Sequence, residues 1–200
     1  RSSDLYRNLA KARPDAFLPD LATSLNNLGV RLDALGQREA ALAATQEAVD
    51  IRRNLAKTRP DAFLPNLAAS LDNLGAIRNA LGQSEAALAA TQEAVDIRRK
   101  LANNYPNVYL PELARSLDDV GELLEVLGKH EAAKFFMKQK LLVRRELAIH
   151  YPNALPVDSN IWVHNLGVDL DSMDEEDALA ESQEAVRIYR ELTDNYSEVF

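Results

Sequence analysis

Amide and carboxylate side chains recur at one fixed spacing in this sequence. The residues that stand 46 positions apart are Asn27, Asn73, Asp119 and Asn165. A side-chain amide offers one acceptor and two donors, so a row of amides can hold the backbone of an extended peptide whatever its side chains. Two plainer explanations stay open at this point: a hydrogen bond between neighbouring repeats, and inheritance by duplication.

The residue types that carry catalysis or bind metals are present, but without the spacing that such chemistry requires. His130, His150 and His164 occupy different positions of the repeat, which argues against a shared metal site. Acidic residues are numerous, but surface helices need charged faces in any case. Neither a nucleophile motif nor a glycine-rich phosphate loop occurs. The sequence therefore predicts no enzyme, no metal and no cofactor.

Composition argues against two further classes of partner. The 200 residues carry a formal net charge of −8, whereas nucleic-acid binding depends on basic side chains that neutralise phosphates. No apolar run approaches the roughly 20 residues of a membrane span. There is no cysteine, which is compatible with a reducing compartment, and we expect a cytoplasmic protein. The charge is uneven, with a net of +2 over residues 1–156 and −10 over residues 157–200.

Proline and glycine mark an internal repeat. The positions separated by steps of 46 are Gly29, Gly75, Gly121 and Gly167, together with Pro14, Pro60, Pro106 and Pro152. Periods of about 20 to 50 residues are typical of repeat architectures, and the segments between these markers are rich in helix-forming residues. We predict one array of four repeats, preceded by a partial second helix at 1–13. The repeats span residues 19–64, 65–110, 111–156 and 157–200.

Each repeat is expected to form two helices. The first helix is predicted to begin at Pro19, because proline suits the first helical position, and to end at Gly36 in a left-handed cap. The second helix carries apolar residues on one side and must end before Pro60, because the residue preceding proline disfavours helical geometry. The segment 60–63, PDAF, is then predicted to turn the chain back toward Pro65.

Small and apolar residues at fixed offsets resemble the tetratricopeptide repeat. The matching positions of repeat one are Leu25, Leu28, Gly29, Leu32, Gly36, Ala41 and Ala48. The 46-residue length is similar to the longer repeats of kinesin light chain-type proteins. The resemblance implies an all-α fold, a right-handed α-solenoid of antiparallel helix pairs that works as a protein-interaction module. It also implies that helices approach closely at Gly29, and that the first helices line the inner side.

The differences between repeats one and two indicate a binding surface. These repeats agree at 31 of 46 positions, and one second-helix stretch is identical over 15 residues, including Thr45, Gln46 and Arg52, which we expect to face water. The first helix instead differs along one stripe that includes Asn26 and Asp33. The resemblance implies that such positions contact ligand. The predicted peptide-binding residues are Asn26, Asn27, Asp33, Asp72, Asn73, Asn79, Arg115, Asp118, Asp119, Glu122, Glu125, His164, Asn165 and Asp171.

Most charged residues of this predicted surface are acidic, which favours a basic or neutral protein or peptide as the partner. The alternative is an architectural role, in which the chain is a spacer or sensor array of a larger signalling protein and self-associates through its ends. A basic and apolar stretch at 134–145, KFFMKQKLLVRR, is also typical of helices that bind membranes or calmodulin. Because it is in register with LAATQEAVDIRR, we favour a core helix with one basic side.

Overall fold

Helices account for the described part of the chain. The computed structural model describes residues 2–151 together with residues 154, 183 and 187, and no strand occurs among them. The helices are α1 (Ser2–Ala12), α2 (Pro14–Ala34), α3 (Arg38–Thr58), α4 (Pro60–Ala80), α5 (Ser84–Asn104), α6 (Pro106–Val126) and α7 (His130–His150). The chain forms two compact units, Arg1–Leu101 and Ala102–Phe200. The helix α1 occupies the segment that was predicted to be a partial second helix.

The first helix of each repeat begins five residues before its predicted start, at Pro14, Pro60 and Pro106. Both prolines of a repeat suit a first helical position, and the structure uses the earlier one. Pro19 therefore lies inside α2. It removes only the bond to the carbonyl of Asp15, and Asp15 is exposed in the first turn, where water can replace that bond. The prediction that residues 60–63 form a turn is wrong, because α4 already begins at Pro60.

The ends of the first helices were predicted correctly. Gly36 adopts a positive φ of 73°, its N–H donates to the Asp33 carbonyl at 2.8 Å, and the Gln37 N–H donates to the Leu32 carbonyl at 2.9 Å. These two bonds form a Schellman motif, which satisfies carbonyls that the helix end leaves free. Gly82 and Gly128 repeat the positive φ. The three-residue connection that follows turns the chain directly into the second helix.

Helices within a repeat are antiparallel. Gly29 of α2 lies against Thr45 of α3, and Thr23, further back along α2, lies against Arg52, further forward along α3. The apolar core between α1, α2 and α3 consists of the buried residues Ala10, Leu21, Leu25, Ala44 and Ala48, with six partly buried apolar side chains packed against them. Because α1, α2 and α3 bury apolar faces on one another, these neighbouring repeats stabilise each other rather than folding singly.

Ion pairs connect second helices of successive repeats in the first compact unit. Arg7 Nη2 of α1 lies 2.6 Å from Glu47 Oε2 of α3, and Arg53 Nη2 lies 2.8 Å from Glu93 Oε2 of α5. Each glutamate raises the pKa of its arginine, chiefly through the side-chain hydrogen bond. The two arginines are themselves 46 residues apart, so the pairs repeat with the fold. Half-exposed pairs of this kind contribute little free energy but help to fix the register.

The space around the repeat glycines differs between the repeats, so alanine substitutions there are expected to change stability by different amounts. A Cβ on Gly29 would collide with Thr45 Oγ1 and lie 3.2 Å from the Ala41 carbonyl oxygen, whereas a Cβ on Gly121 would meet only Met137 Cγ at 3.8 Å. We expect Gly29→Ala to lower the free energy of unfolding by about 1–3 kcal/mol through overpacking. Gly121→Ala is expected to raise it by up to about 1 kcal/mol, since alanine favours the helix.

Urea unfolding followed by circular dichroism measures both effects. Gly75→Ala serves as the intermediate case, because its Cβ would lie 2.6 Å from Thr91 Oγ1 but 3.5 Å from the nearest backbone oxygen. Equal changes at Gly29 and Gly121 would show that helix spacing does not explain the repeated glycine.

Candidate functional site

The predicted binding stripe lies on the first helices, but several of its residues bond within the chain. Ser70 Oγ and Asn73 Nδ2 both donate to Asn26 Oδ1, at 2.9 and 3.2 Å, so the amides of α2 and α4 meet side by side. This contact is a hydrogen bond between neighbouring repeats, and Asn73 is the member of the amide row that makes it, whereas Asn26 stands next to the row. The two bonds use the side-chain oxygen of Asn26. They leave Nδ2 of Asn26 without a partner in the described part of the chain.

A buried arginine lies beneath this amide cluster. Arg52 of α3 is only 6% exposed. Its Nη1 donates to Ser70 Oγ and to the Asn66 carbonyl at 2.9 Å, and its Nη2 donates to Thr23 Oγ1 at 3.3 Å. All three acceptors are neutral, and burial lowers the pKa of Arg52. The arginine therefore connects α2, α3 and α4 through neutral hydrogen bonds.

The corresponding arginine of repeat two has a different partner. Arg98 is 1% exposed, and its Nη1 and Nη2 donate to the two carboxylate oxygens of Asp72 at 2.9 and 2.5 Å. This fork-to-carboxylate geometry is the strong, specific form of an ion pair. The change from Asn26 to Asp72 between the repeats therefore supplies a counter-charge to a buried cation. It is one of the differences between repeats one and two that were interpreted as marking a binding surface.

Repeat three places another buried cation under the stripe. Lys140 of α7 is 1% exposed, and its Nζ lies 2.6 Å from Asp118 Oδ1 of α6. Lys140 occupies the position that Ala48 and Ala94 hold in the earlier repeats, where both alanines are fully buried. A lysine in that small space is tolerated because a carboxylate faces it from the first helix. Asp118 is therefore engaged within the fold.

The remaining predicted residues fall into three groups. Exposed on the first helices are Asn27, Asn79, Arg115, Glu122 and Glu125. Partly buried are Asp33, Asn73 and Asp119, of which Asp33 Oδ1 lies 4.0 Å from Arg38 Nε. His164, Asn165 and Asp171 lie outside the described residues. Glu125 Oε2 lies 2.6 Å from His130 Nδ1, and both side chains are largely exposed.

The prediction that Thr45 and Arg52 face water is wrong. Thr45 is fully buried against Gly29, and Arg52 is buried as described above. Their identity in repeats one and two follows from packing, so it does not show how exposed positions of the second helix vary between the repeats. Ala43 and Asp50 are exposed, and repeat two has the same two residue types at these positions. Exposed residues of the second helix are therefore unchanged here, whereas residues of the first-helix stripe differ.

Sequence reasoning did not find the buried cations, although one signal was available. Repeat three carries Lys140 where the earlier repeats carry alanine on the core side of the second helix, and a lysine at a core position indicates that a carboxylate is in contact with it. Among the described residues, no cluster of three or more metal-ligating side chains occurs. In the same part of the chain, no helix combines the length and apolar character that crossing a membrane demands.

Comparison with known proteins agrees with this architecture. Residues 21–60 and 67–106 match the tetratricopeptide repeat family, so the predicted family is confirmed for these two segments. No curated protein matches the sequence. A kinesin light chain-type protein of Podosopora anserina with nearly identical TPR-like repeats is similar in structure, with a TM-score of 0.56 and 19% identity over 91% of this chain and 78% of its own.

MamA is also similar, with a TM-score of 0.52 and 15% identity over 96% of this chain and 89% of its own. At such identities the likeness concerns the fold alone, which is the all-α solenoid of stacked helix pairs that the sequence predicted. Tetratricopeptide repeats indicate a protein-interaction scaffold, a class that is typically without enzymatic activity.

Proposed function

We propose that this protein binds a partner protein along the exposed face of its first helices, as an extended peptide or a helix. The observation that carries the proposal is the spare hydrogen-bonding capacity of that face. Asn27 is exposed and makes no side-chain hydrogen bond within the described chain. Asn26 keeps its Nδ2 available beside it. Together they offer donors and an acceptor of the kind that an extended peptide backbone needs.

The charge of the face favours a basic or neutral partner, although by a smaller margin than the sequence suggested. Asp72 and Asp118 are paired with buried cations and contribute little field of their own. Glu122 of α6 is exposed and has no ion-pair partner in the described part of the chain. A lysine or arginine of the partner would find its counter-charge there. The absence of cysteine supports the cytoplasm as the place where this binding occurs.

Selection from a randomised peptide library on the complete chain tests the proposal. We expect extended, neutral or basic peptides to be enriched. Asn27→Ala should lower the affinity for these peptides about fivefold, which is the effect of one lost hydrogen bond. Asn54→Ala is the matched control, because Asn54 is also an exposed helical asparagine but lies on the second helix α3. For the charged part, Glu122→Lys should lower the affinity for basic peptides. Glu131→Lys, at an exposed position of α7, should leave that affinity unchanged.

The proposal fails if no peptide is enriched, or if the first-helix variants bind as tightly as the control variants. Sedimentation equilibrium on the same proteins then examines the architectural alternative. Association that depends on protein concentration and is unaffected by Asn27→Ala and Glu122→Lys would favour a self-associating spacer.

A further inference from the structure

Asn26 and Asn73 form a pair of amides whose hydrogen bond could run in either direction. In the structure Asn73 Nδ2 donates to Asn26 Oδ1 at 3.2 Å. The NH2 group and the oxygen of an amide are nearly equal in size, so turning both amides over would let Asn26 Nδ2 donate to Asn73 Oδ1 in the same space. The direction of this bond decides which group of Asn26 faces a partner.

Ser70 supplies the contact that distinguishes the two directions. Its Oγ donates to Asn26 Oδ1 at 2.9 Å, and the side chain is fully buried. A hydroxyl has a single proton to donate. A serine inside a helix often gives that proton to the carbonyl four residues earlier, as Ser116 does by donating to the Glu112 carbonyl at 3.2 Å. Ser70 therefore has two acceptors to choose between.

Arg52 removes the choice by using the acceptor on α4. Its Nη1 donates to the Asn66 carbonyl at 2.9 Å and also to Ser70 Oγ. The Asn66 carbonyl accepts the N–H of Ser70 as well, as the α-helix requires, so both of its lone pairs are used. Because an arginine only donates, Ser70 accepts from it and gives its own proton to Asn26. The Asn26 atom that receives this proton must be the oxygen.

The NH2 group of Asn26 is left to face outward. Nδ2 has no partner in the described part of the chain and is not buried there, so it reaches solvent. Asn27, the next residue along α2, is exposed. In repeat two the corresponding position holds Asp72, whose carboxylate binds Arg98 and has no donor in any orientation. Repeat one thus offers a hydrogen-bond donor that repeat two lacks.

We propose that Arg52 is a positioning residue of the first-helix binding face. Through Ser70 it holds the Asn26 amide with its donor outward, so that repeat one binds a carbonyl oxygen of the partner rather than an N–H. The inference rests on the proposed function, since it requires a partner on this face. It also gives a role to a buried arginine that has only neutral acceptors.

Nuclear magnetic resonance on the complete chain, without any peptide, tests the orientation. Scalar coupling through a hydrogen bond connects the donating nitrogen to the accepting carbonyl carbon, so it shows which amide donates. In the wild type we expect coupling from Asn73 Nδ2 to Asn26 Cγ alone. In Arg52→Met the proton of Ser70 can return to its own helix, and we expect coupling in both directions.

Two variants serve as controls for the coupling. Arg52→Lys keeps a buried donor for Ser70 and should retain the wild-type direction, which a general loosening of the fold would not do. Arg53→Met removes the neighbouring, half-exposed arginine and its ion pair with Glu93, and should leave the coupling unchanged.

Asn26→Asp tests which group of the partner is bound. Its Oδ1 can still accept from Ser70 and Asn73, whereas its Oδ2 puts an acceptor in the place of the donor. We expect the affinity for a neutral peptide from the library selection to fall about tenfold, while the melting temperature does not fall. Arg52→Met should lower the same affinity about twofold, because only half of the molecules then present the donor.

Three results would overturn the proposal. They are coupling from Asn26 to Asn73 in the wild type, unchanged coupling in Arg52→Met, and full affinity of Asn26→Asp for the neutral peptide. If the selection enriches no peptide, the proposed function fails and the binding of a partner's carbonyl fails with it. The coupling then decides separately whether Arg52 orients the amide.

Discussion

Asp72→Ala is expected to lower the free energy of unfolding by about 3 kcal/mol, the lower end of the range for removing one partner of a buried ion pair. Arg98 is 1% exposed and Asp72 is 16% exposed, so the arginine would be left in the interior without its bidentate counter-charge. Urea unfolding of the complete chain measures the change. Asp96→Ala is the control, because Asp96 is exposed and its ion pair with Arg99 spans 3.6 Å, an arrangement that contributes little.

Repeat one supplies the reverse experiment. Arg52 occupies the position of Arg98 but has only neutral acceptors, and Asn26 stands where Asp72 does. Asn26→Asp is therefore expected to stabilise the protein by about 1 kcal/mol, because the hydrogen bonds that residue 26 accepts would then end on a charged oxygen. Its carboxylate oxygen can still accept from Ser70 and Asn73. If Asp72→Ala and Asp96→Ala lower the unfolding free energy equally, the ion pair between Arg98 and Asp72 contributes nothing to folding.

The sequence predicted those features of the fold that depend on local chemistry. Gly36 requires a left-handed conformation that other residues avoid, and Gly29 leaves space that a side chain would fill, so both could be identified without a structure. The start of α2 was missed because two prolines of the repeat suit the same helical position. Local rules do not choose between Pro14 and Pro19; packing against the preceding helix does.

The candidate site was harder to predict because it depends on contacts between residues far apart in sequence. The pattern of its own helix predicts that Arg52 is a surface residue. Its burial comes from α4, where it meets Ser70 and Asn66. Periodicity within one helix cannot show what a third helix covers. For the same reason, Asp72 was assigned to ligand binding from its position on the stripe, although its carboxylate is directed to Arg98 of the neighbouring helix.

Coupling between Asp118 and Lys140 is the second large effect that we expect. Asp118→Asn should cost about 2 kcal/mol of unfolding free energy when Lys140 is present, because the buried Lys140 ammonium loses the carboxylate of Asp118. We expect a smaller loss of unfolding free energy than for Asp72→Ala, because Asp118 is 39% exposed. In a Lys140→Ala background the same substitution should cost close to nothing, since alanine at this position and asparagine at 118 reproduce the Ala48 and Asn26 combination of repeat one.

A double-mutant cycle by urea unfolding therefore gives an interaction energy of about 2 kcal/mol. The same four proteins also decide what Asp118 does on the proposed binding face. If its role is to neutralise Lys140, Asp118→Asn in the Lys140→Ala background leaves the affinity for selected peptides unchanged, while Glu122→Lys still weakens basic ones. If Asp118 instead contacts the ligand, affinity falls in both backgrounds and the unfolding energies show no coupling. Stability and binding are thus expected to assign the two acidic residues of α6 to different tasks, Asp118 to the fold and Glu122 to the partner.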